Sequence, residues 1–146
     1  MVVLSLAGER YGVEVEHVRE VALIETMTMT ESAADGLVRL HGADVPVVDL
    51  RRQLAIQAED ESEGRSILVA EIDGRAVGLI VDAVTGVLRI RAGAVRPAPV
   101  STSPVDSNRL AGVTGVEDDL LWLLDVGKVF TRREKAALFS VPSDSD

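Results

Sequence analysis

Acid–base or metal chemistry in this chain would have to begin with its two histidines, His17 and His41. Neither has a second ligand at a spacing such as i, i+4, which would put two metal-binding side chains on one helix face. No cysteine occurs, so thiolate nucleophiles, thiolate metal sites and disulfides are excluded together. There is no Gly-x-Ser-x-Gly elbow, and the serines cluster in loop-like stretches. Gly127-Lys128 is followed by Val129 and lacks the upstream glycine of a phosphate-binding loop. The acidic runs Glu59-Asp60-Glu61 and Glu117-Asp118-Asp119 lack the alternating oxygen ligands of a calcium loop and read as solvated turns. Asp49 and Asp125 differ from these, because each ends an apolar strand, where a carboxylate can accept backbone N–H groups and cap the next turn. An active site needs a nucleophile, a base and a charge stabiliser that converge, and no such set is present. The chain therefore reads as a binding module without catalysis, cofactor or metal. Its contacts would rest on apolar surface plus a few charges, with Val18-Arg19-Glu20, Arg51-Arg52 and Arg96 as candidates.

The elements that would position these residues are mostly strands. Val2–Leu6 and Tyr11–Val15 flank a Gly8–Arg10 turn, a hairpin signal, since glycine tolerates the positive φ of tight turns. Glu16–Glu20 reads as one helical turn, and Val21–Thr28 as extended. After a polar connection over Thr30–Gly36, the segment Asp44–Leu50 is a strand containing Pro46, which predicts an edge or a bulge. Arg51–Ile56 reads as a short helix, and Gln57–Gly64 as the main break. Strands follow over Ser66–Ile72 and Ala76–Val81, then a proline-rich stretch over Ala92–Asn108. A second hairpin spans Leu110–Val116 and Leu120–Val126, with its turn at Glu117–Asp119. Thr131 can cap a helix running to Phe139, and residues 141–146 read as a disordered tail.

One phrase occurs twice. Gly8–Ile24 carries glycines and apolar residues at the same offsets as Gly74–Ile90, 66 positions later: Val13, Val15, Val18, Val21 and Ile24 against Leu79, Val81, Val84, Val87 and Ile90. Pro46–Leu50 then matches Trp122–Val126, each an apolar strand ending in Asp and one more apolar residue. The order implies two similar β units, about 8–64 and about 65–130. Units of that size are marginal alone, so they would share a core, with a binding groove between them.

The net charge of −9 repels phosphate backbones and argues against nucleic acid as a partner. No apolar run reaches the length of a membrane span, and MVVLSLAGER has no basic leader, so the expected setting is cytoplasmic, without membrane insertion.

The segments YGVEVEHVREV, LVRLHGADVPVVDLR, AVGLIVDAVTGVLRI, VRPAPV and RLAGVTGVEDDLLWLLDVGKV, in this order, resemble the CheW-type chemotaxis coupling family from about Val2 to Lys135. The most specific pieces are VPVVDLR (Val45–Arg51), VGLIVDAV (Val77–Val84) and RPAP (Arg96–Pro99). The resemblance implies an all-β fold: one domain over 1–140 made of two SH3-like five-stranded barrels around a shared core, with a short C-terminal helix at 131–139. It leaves open whether strand 2–6 is exchanged between the halves. It also implies a non-catalytic adaptor, monomeric when isolated, that links the cytoplasmic tips of chemoreceptors to the regulatory domain of the histidine kinase CheA. The implied partner-binding residues are Val18, Glu20, Gly36, His41, Val81, Val84 and Val87, with a receptor helix hairpin entering the inter-barrel groove. The family's usual arginine falls on His41, which exchanges a permanent fork-shaped cation for an imidazole. Ala22–Gly36 is also shorter than the family pattern and lacks its prolines. A scaffold of another chemosensory pathway and a small ligand-binding β-barrel remain as alternatives.

Overall fold

The computed structural model describes residues 1–23, 29–30, 36–56, 65–116 and 119–139. The polar connection before Gly36, the break at 57–64, the centre of the 117–119 turn and the tail at 141–146 lie outside the described residues. The strands are β1 (Val2–Leu6), β2 (Glu9–Val13), β3 (Val18–Leu23), β4 (Met29–Thr30), β5 (Gly36–Leu40), β6 (Ala43–Asp49), β7 (Ser66–Ile72), β8 (Arg75–Val81), β9 (Ala83–Val87), β10 (Leu110–Val116) and β11 (Asp119–Leu124). The helices are α1 (Leu50–Gln53) and α2 (Arg132–Phe139). The single turn expected over Glu16–Glu20 is a 3-10 turn at Val15–His17, and Val18 already opens β3.

Two sheets form, with orders β10-β11-β2-β1-β9 and β3-β7-β8-β6-β5-β4. The division near residue 64 is not the division between sheets. Hairpin β1–β2 joins the sheet of β9, β10 and β11, while hairpin β7–β8 joins the sheet of β3 to β6. The exchange that was left open for strand 2–6 alone therefore involves a whole hairpin from each half. The physical cause lies in the chain after each hairpin. Following β2, the turn at Val15–His17 carries the chain to the other sheet, and following β8, Asp82 does the same.

The repeated phrase is thus a hairpin followed by a change of sheet. Its two copies use the same turn: Ala7-Gly8 at φ 49° and 86°, and Asp73-Gly74 at φ 52° and 80°. Two consecutive residues at positive φ give a two-residue turn whose twist matches that of the flanking strands. Each copy also makes one parallel pairing, β2 with β11 and β8 with β6. At that pairing a glycine faces the partner's side chains: Gly12 beside Leu123, and Gly78 beside Val47.

Three packed cores explain the apolar strands. Val2 and Leu4 face a core shared by both sheets, while Val3 between them faces a small core with Leu121 and Leu123. Val48, Leu68, Leu79 and Val81 likewise face the shared core, and Val47, Ile67, Val69 and Ile80 fill a core inside the second sheet. A strand buried on both faces must be apolar throughout, so it shows no clean alternation. The seam between the sheets is filled by Leu4, Leu6, Tyr11, Leu50 and Leu79, all buried, rather than forming an open groove.

Both sheets curl. In the first, the chain after β9 returns so that Arg96 and Val113 exchange backbone hydrogen bonds of 2.9 and 2.8 Å, which is what the RPAP segment does. Pro46 is in an interior strand, contrary to the edge expectation. The ladder from β6 to β8 starts only at Val47, however, so Pro46 lies where β6 has a partner on one side. The expected helix at 131–139 runs over Arg132–Phe139 and starts in a reciprocal cap: Thr131 Oγ1 accepts from Glu134 N at 3.1 Å, and Glu134 Oε1 accepts from Thr131 N at 2.7 Å. The bond donated by the Thr131 backbone, with one from the Gln53 side chain, holds the Glu134 carboxyl below its ordinary range.

Candidate partner-binding site

His41 sits in the β5–β6 turn, His41-Gly42, at φ 50° and 82°, the same turn geometry as at Ala7-Gly8 and Asp73-Gly74. Histidine is among the residues that tolerate a positive φ better than most. From this turn the imidazole reaches Glu20 on β3, with Nε2 2.7 Å from Oε1 and 3.3 Å from Oε2. β3 and β5 stand four places apart in their sheet, so this contact exists only because the sheet curls until its ends approach. Arg39 on the same hairpin pairs with Asp44 at 3.2 Å, and Arg19 with Glu71 at 2.8 Å. The face around Glu20 and His41 is therefore set by ion pairs on exposed strand surface. His41 is 81% exposed, which leaves its outer edge open to a partner.

The other implied residues separate into two kinds. Val18 and Val84 occupy matching places in the repeat, and both are half-buried against the shared core. Val21 and Val87 also match, at 43% and 69% exposed, on the edge strands β3 and β9. Val15 and Leu88 add further exposed apolar surface near the ends of the same strands. Gly36 is the first residue of β5, in register with Val47. Val81 is fully buried among shared-core residues, so it supports the surface from beneath and presents nothing to a partner. The reason is its place at the end of β8, just before the chain changes sheet. The apolar surface open to a partner thus lies on the edge strands, and not in a groove between the sheets.

Two groupings were not visible as spacings. Arg51 at the start of α1 reaches Asp82, Nη2 to Oδ2, at 2.5 Å, and both side chains are largely buried. The same Oδ2 accepts from Ala7 N at 2.8 Å. Asp49 and Asp125 do cap the turns that follow them, accepting from Arg51 N at 3.0 Å and Gly127 N at 3.1 Å, as their positions at strand ends predict. Glu14, Glu16 and His17 gather on the exposed turn before β3, with ligand atoms within 4.8 Å of one another. A side-chain hydrogen bond with Glu16 raises the Glu14 carboxyl above its ordinary range. Among the described residues, no helix is long and apolar enough to cross a membrane.

Comparison with known proteins agrees with this architecture. The CheW-like domain family matches residues 1–134. A chemotaxis protein CheW of Klebsiella aerogenes is 30% identical over 142 residues, covering 95% of this chain and 86% of that protein. A chemotaxis protein CheW of Thermotoga maritima is 31% identical over 115 residues, covering 79% and 74% of the two chains. The crystal structure of the scaffolding protein TtCheW from Thermoanaerobacter tengcongensis superposes with a TM-score of 0.78 at 29% identity, covering 97% of this chain and 92% of that one. Twin curled sheets over a shared core and a family match across nearly the whole chain place this protein in the CheW-like domain family, as a non-catalytic chemotaxis adaptor.

Proposed function

We propose that this chain couples the cytoplasmic tips of chemoreceptors to the regulatory domain of the histidine kinase CheA, in the cytoplasm, through the surface carrying Val18, Glu20, Gly36, His41, Val84 and Val87. The observation that carries this reading is the Glu20–His41 contact of 2.7 Å, which joins two of these positions across the ends of a curled sheet. The edge strands of the two sheets offer Val21 and Val87 as exposed apolar contacts. A surface of that kind, apolar with a few placed charges, suits a helical receptor segment better than a small ligand. Val81 is left out of the contact set because its side chain is in the core.

Reconstitution tests the proposal. Purified receptor tips and CheA are assayed for kinase activity with and without this chain. Receptor-dependent activity is expected to rise when the chain is added and to fall back with Val87→Glu. Kinase activity that ignores both the chain and the substitution would overturn the reading.

A further inference from the structure

The chain has only two lysines, Lys128 and Lys135, in a molecule of net charge −9, and both line the same cavity. This cavity, of about 630 Å³, also receives Arg109 and Arg132, against two acids, Asp73 and Asp106. It shares no residue with the partner-binding surface described above.

The acids are already engaged. Asp73 pairs with Lys135 at 3.1 Å, and Asp106 accepts from Asn108 N at 2.9 Å. Arg109 is occupied as well, donating to the Val129 carbonyl. Lys128 and Arg132 are exposed, and neither forms an ion pair among the described residues. Their backbone is firmly held. The 3-10 turns at Ser107–Arg109 and Val126–Lys128 are each capped by an aspartate and are tied together by Asp125 N donating to Arg109 O at 3.0 Å. Arg132 opens α2 directly after the Thr131–Glu134 reciprocal cap.

We propose that this cavity is a docking site for a short carboxylate-rich segment of a protein partner, with Lys128 and Arg132 as its two anchoring cations. The charge balance selects that class. A long polyanion such as nucleic acid, or an anionic membrane, would run past the cavity onto a surface that is acidic overall and be repelled there. Screening confines the favourable field to about 8 Å at physiological salt, the reach of a few side chains. A concavity of this size lies within the range of roughly 300–1,000 Å³ that holds compact ligands. Two exposed cations match two carboxylates.

The test uses the full-length chain labelled with nitrogen-15 and a capped tetrapeptide of alternating glutamate and aspartate. Parallel arms use the glutamine–asparagine tetrapeptide, inorganic phosphate and phosphatidylserine vesicles. The acidic peptide is expected to shift the amides of Asn108, Gly127, Lys128 and Arg132 saturably, and the amide peptide is expected not to. Lys128→Glu with Arg132→Glu should weaken peptide binding by about tenfold or more, whereas Arg133→Glu, a cation of α2 outside the cavity, should change it by less than about twofold. Thermal melting of the double variant serves as the folding control, and Lys128→Gln with Arg132→Gln gives the same comparison without charge reversal. Equal shifts from both peptides, unchanged affinity in both double variants, or preferential binding of phosphate or vesicles would each overturn the proposal.

Discussion

Arg51 Nη2 lies 2.5 Å from Asp82 Oδ2, an ion pair across 31 positions of sequence in which both side chains are largely buried. It links VPVVDLR with VGLIVDAV. Through Ala7 N on the same oxygen, it also holds the β1–β2 turn of the first sheet against the start of α1 beside the second. Removing the carboxylate would take from the Arg51 guanidinium an ion-pair partner in a poorly hydrated place. Asp82→Asn is expected to destabilise the fold by about 3 kcal/mol. Arg51→Met combined with Asp82→Leu should recover most of that loss, because it removes both buried charges together. Urea unfolding followed by the fluorescence of Trp122, the single tryptophan, measures both. A loss below about 0.5 kcal/mol for Asp82→Asn would contradict the role assigned to the pair.

Gly78 and Gly12 hold matching places but should not respond alike. A Cβ at Gly78 would lie 3.0 Å from Ile67 Cγ2 and 3.2 Å from Val47 Cγ2, both on β-branched side chains that turn with difficulty. At Gly12 the nearest atom is Leu123 Cδ2 at 3.1 Å, the end of a more flexible side chain. Gly78→Ala should cost about 1–3 kcal/mol from overpacking. Gly12→Ala should be near neutral, because the lower entropy of the unfolded chain, worth about 0.4–1 kcal/mol, offsets the strain. Equal effects in denaturation experiments would show that the two pairings are not packed as described.

Tyr11 is fully buried, and burial, followed by the nearby Glu9 charge, pushes its phenol well above the ordinary value. The sign follows from linkage: the folded protein holds the proton more tightly than the unfolded chain. This contribution to stability is therefore complete below the unfolded value of about 10 and declines as the pH rises past it. Tyr11 is the only tyrosine, so tyrosinate absorbance reports on it alone. Ionisation should appear together with the loss of circular dichroism in alkali. Titration near pH 10 with the sheets intact would count against its burial.

How much of this was readable beforehand depended on range. The turns at Gly8 and Gly74 and the caps at Asp49 and Asp125 arise from residues within a few positions of each other, and reading along the chain finds them. Sheet membership does not arise that way. Val3 and Leu4 are both apolar yet face different cores, so the pattern of β1 does not say which sheet receives it. The Arg51–Asp82 pair was equally hidden, since Arg51-Arg52 looks like any surface pair of cations until α1 turns one of them inward. The burial of Val81 was hidden for a related reason: a strand that passes from one sheet to the other buries its last residue in the shared core.

His41 sits in a turn whose φ of 50° disfavours most side chains. His41→Arg places a permanent, fork-shaped cation opposite Glu20, so binding to the cognate receptor or kinase should tighten by about 2- to 10-fold. Calorimetric titration of the variant against the wild type checks this, and a large loss of affinity would speak against the assigned surface.

Because each half of the chain lends a hairpin to the opposite sheet, the two halves are braided rather than stacked. The first sheet cannot be completed until residues from near both ends of the sequence have been gathered in, and the second needs strands from both sides of 57–64, so much of the ordering entropy must be lost before the long-range strand contacts compensate, a pattern that slows folding. A protein severed within 57–64 should accordingly yield two pieces that remain unstructured apart and regain the native spectrum only when mixed. The doubled phrase in the sequence thereby produces a single cooperative unit and not a tandem of independent modules.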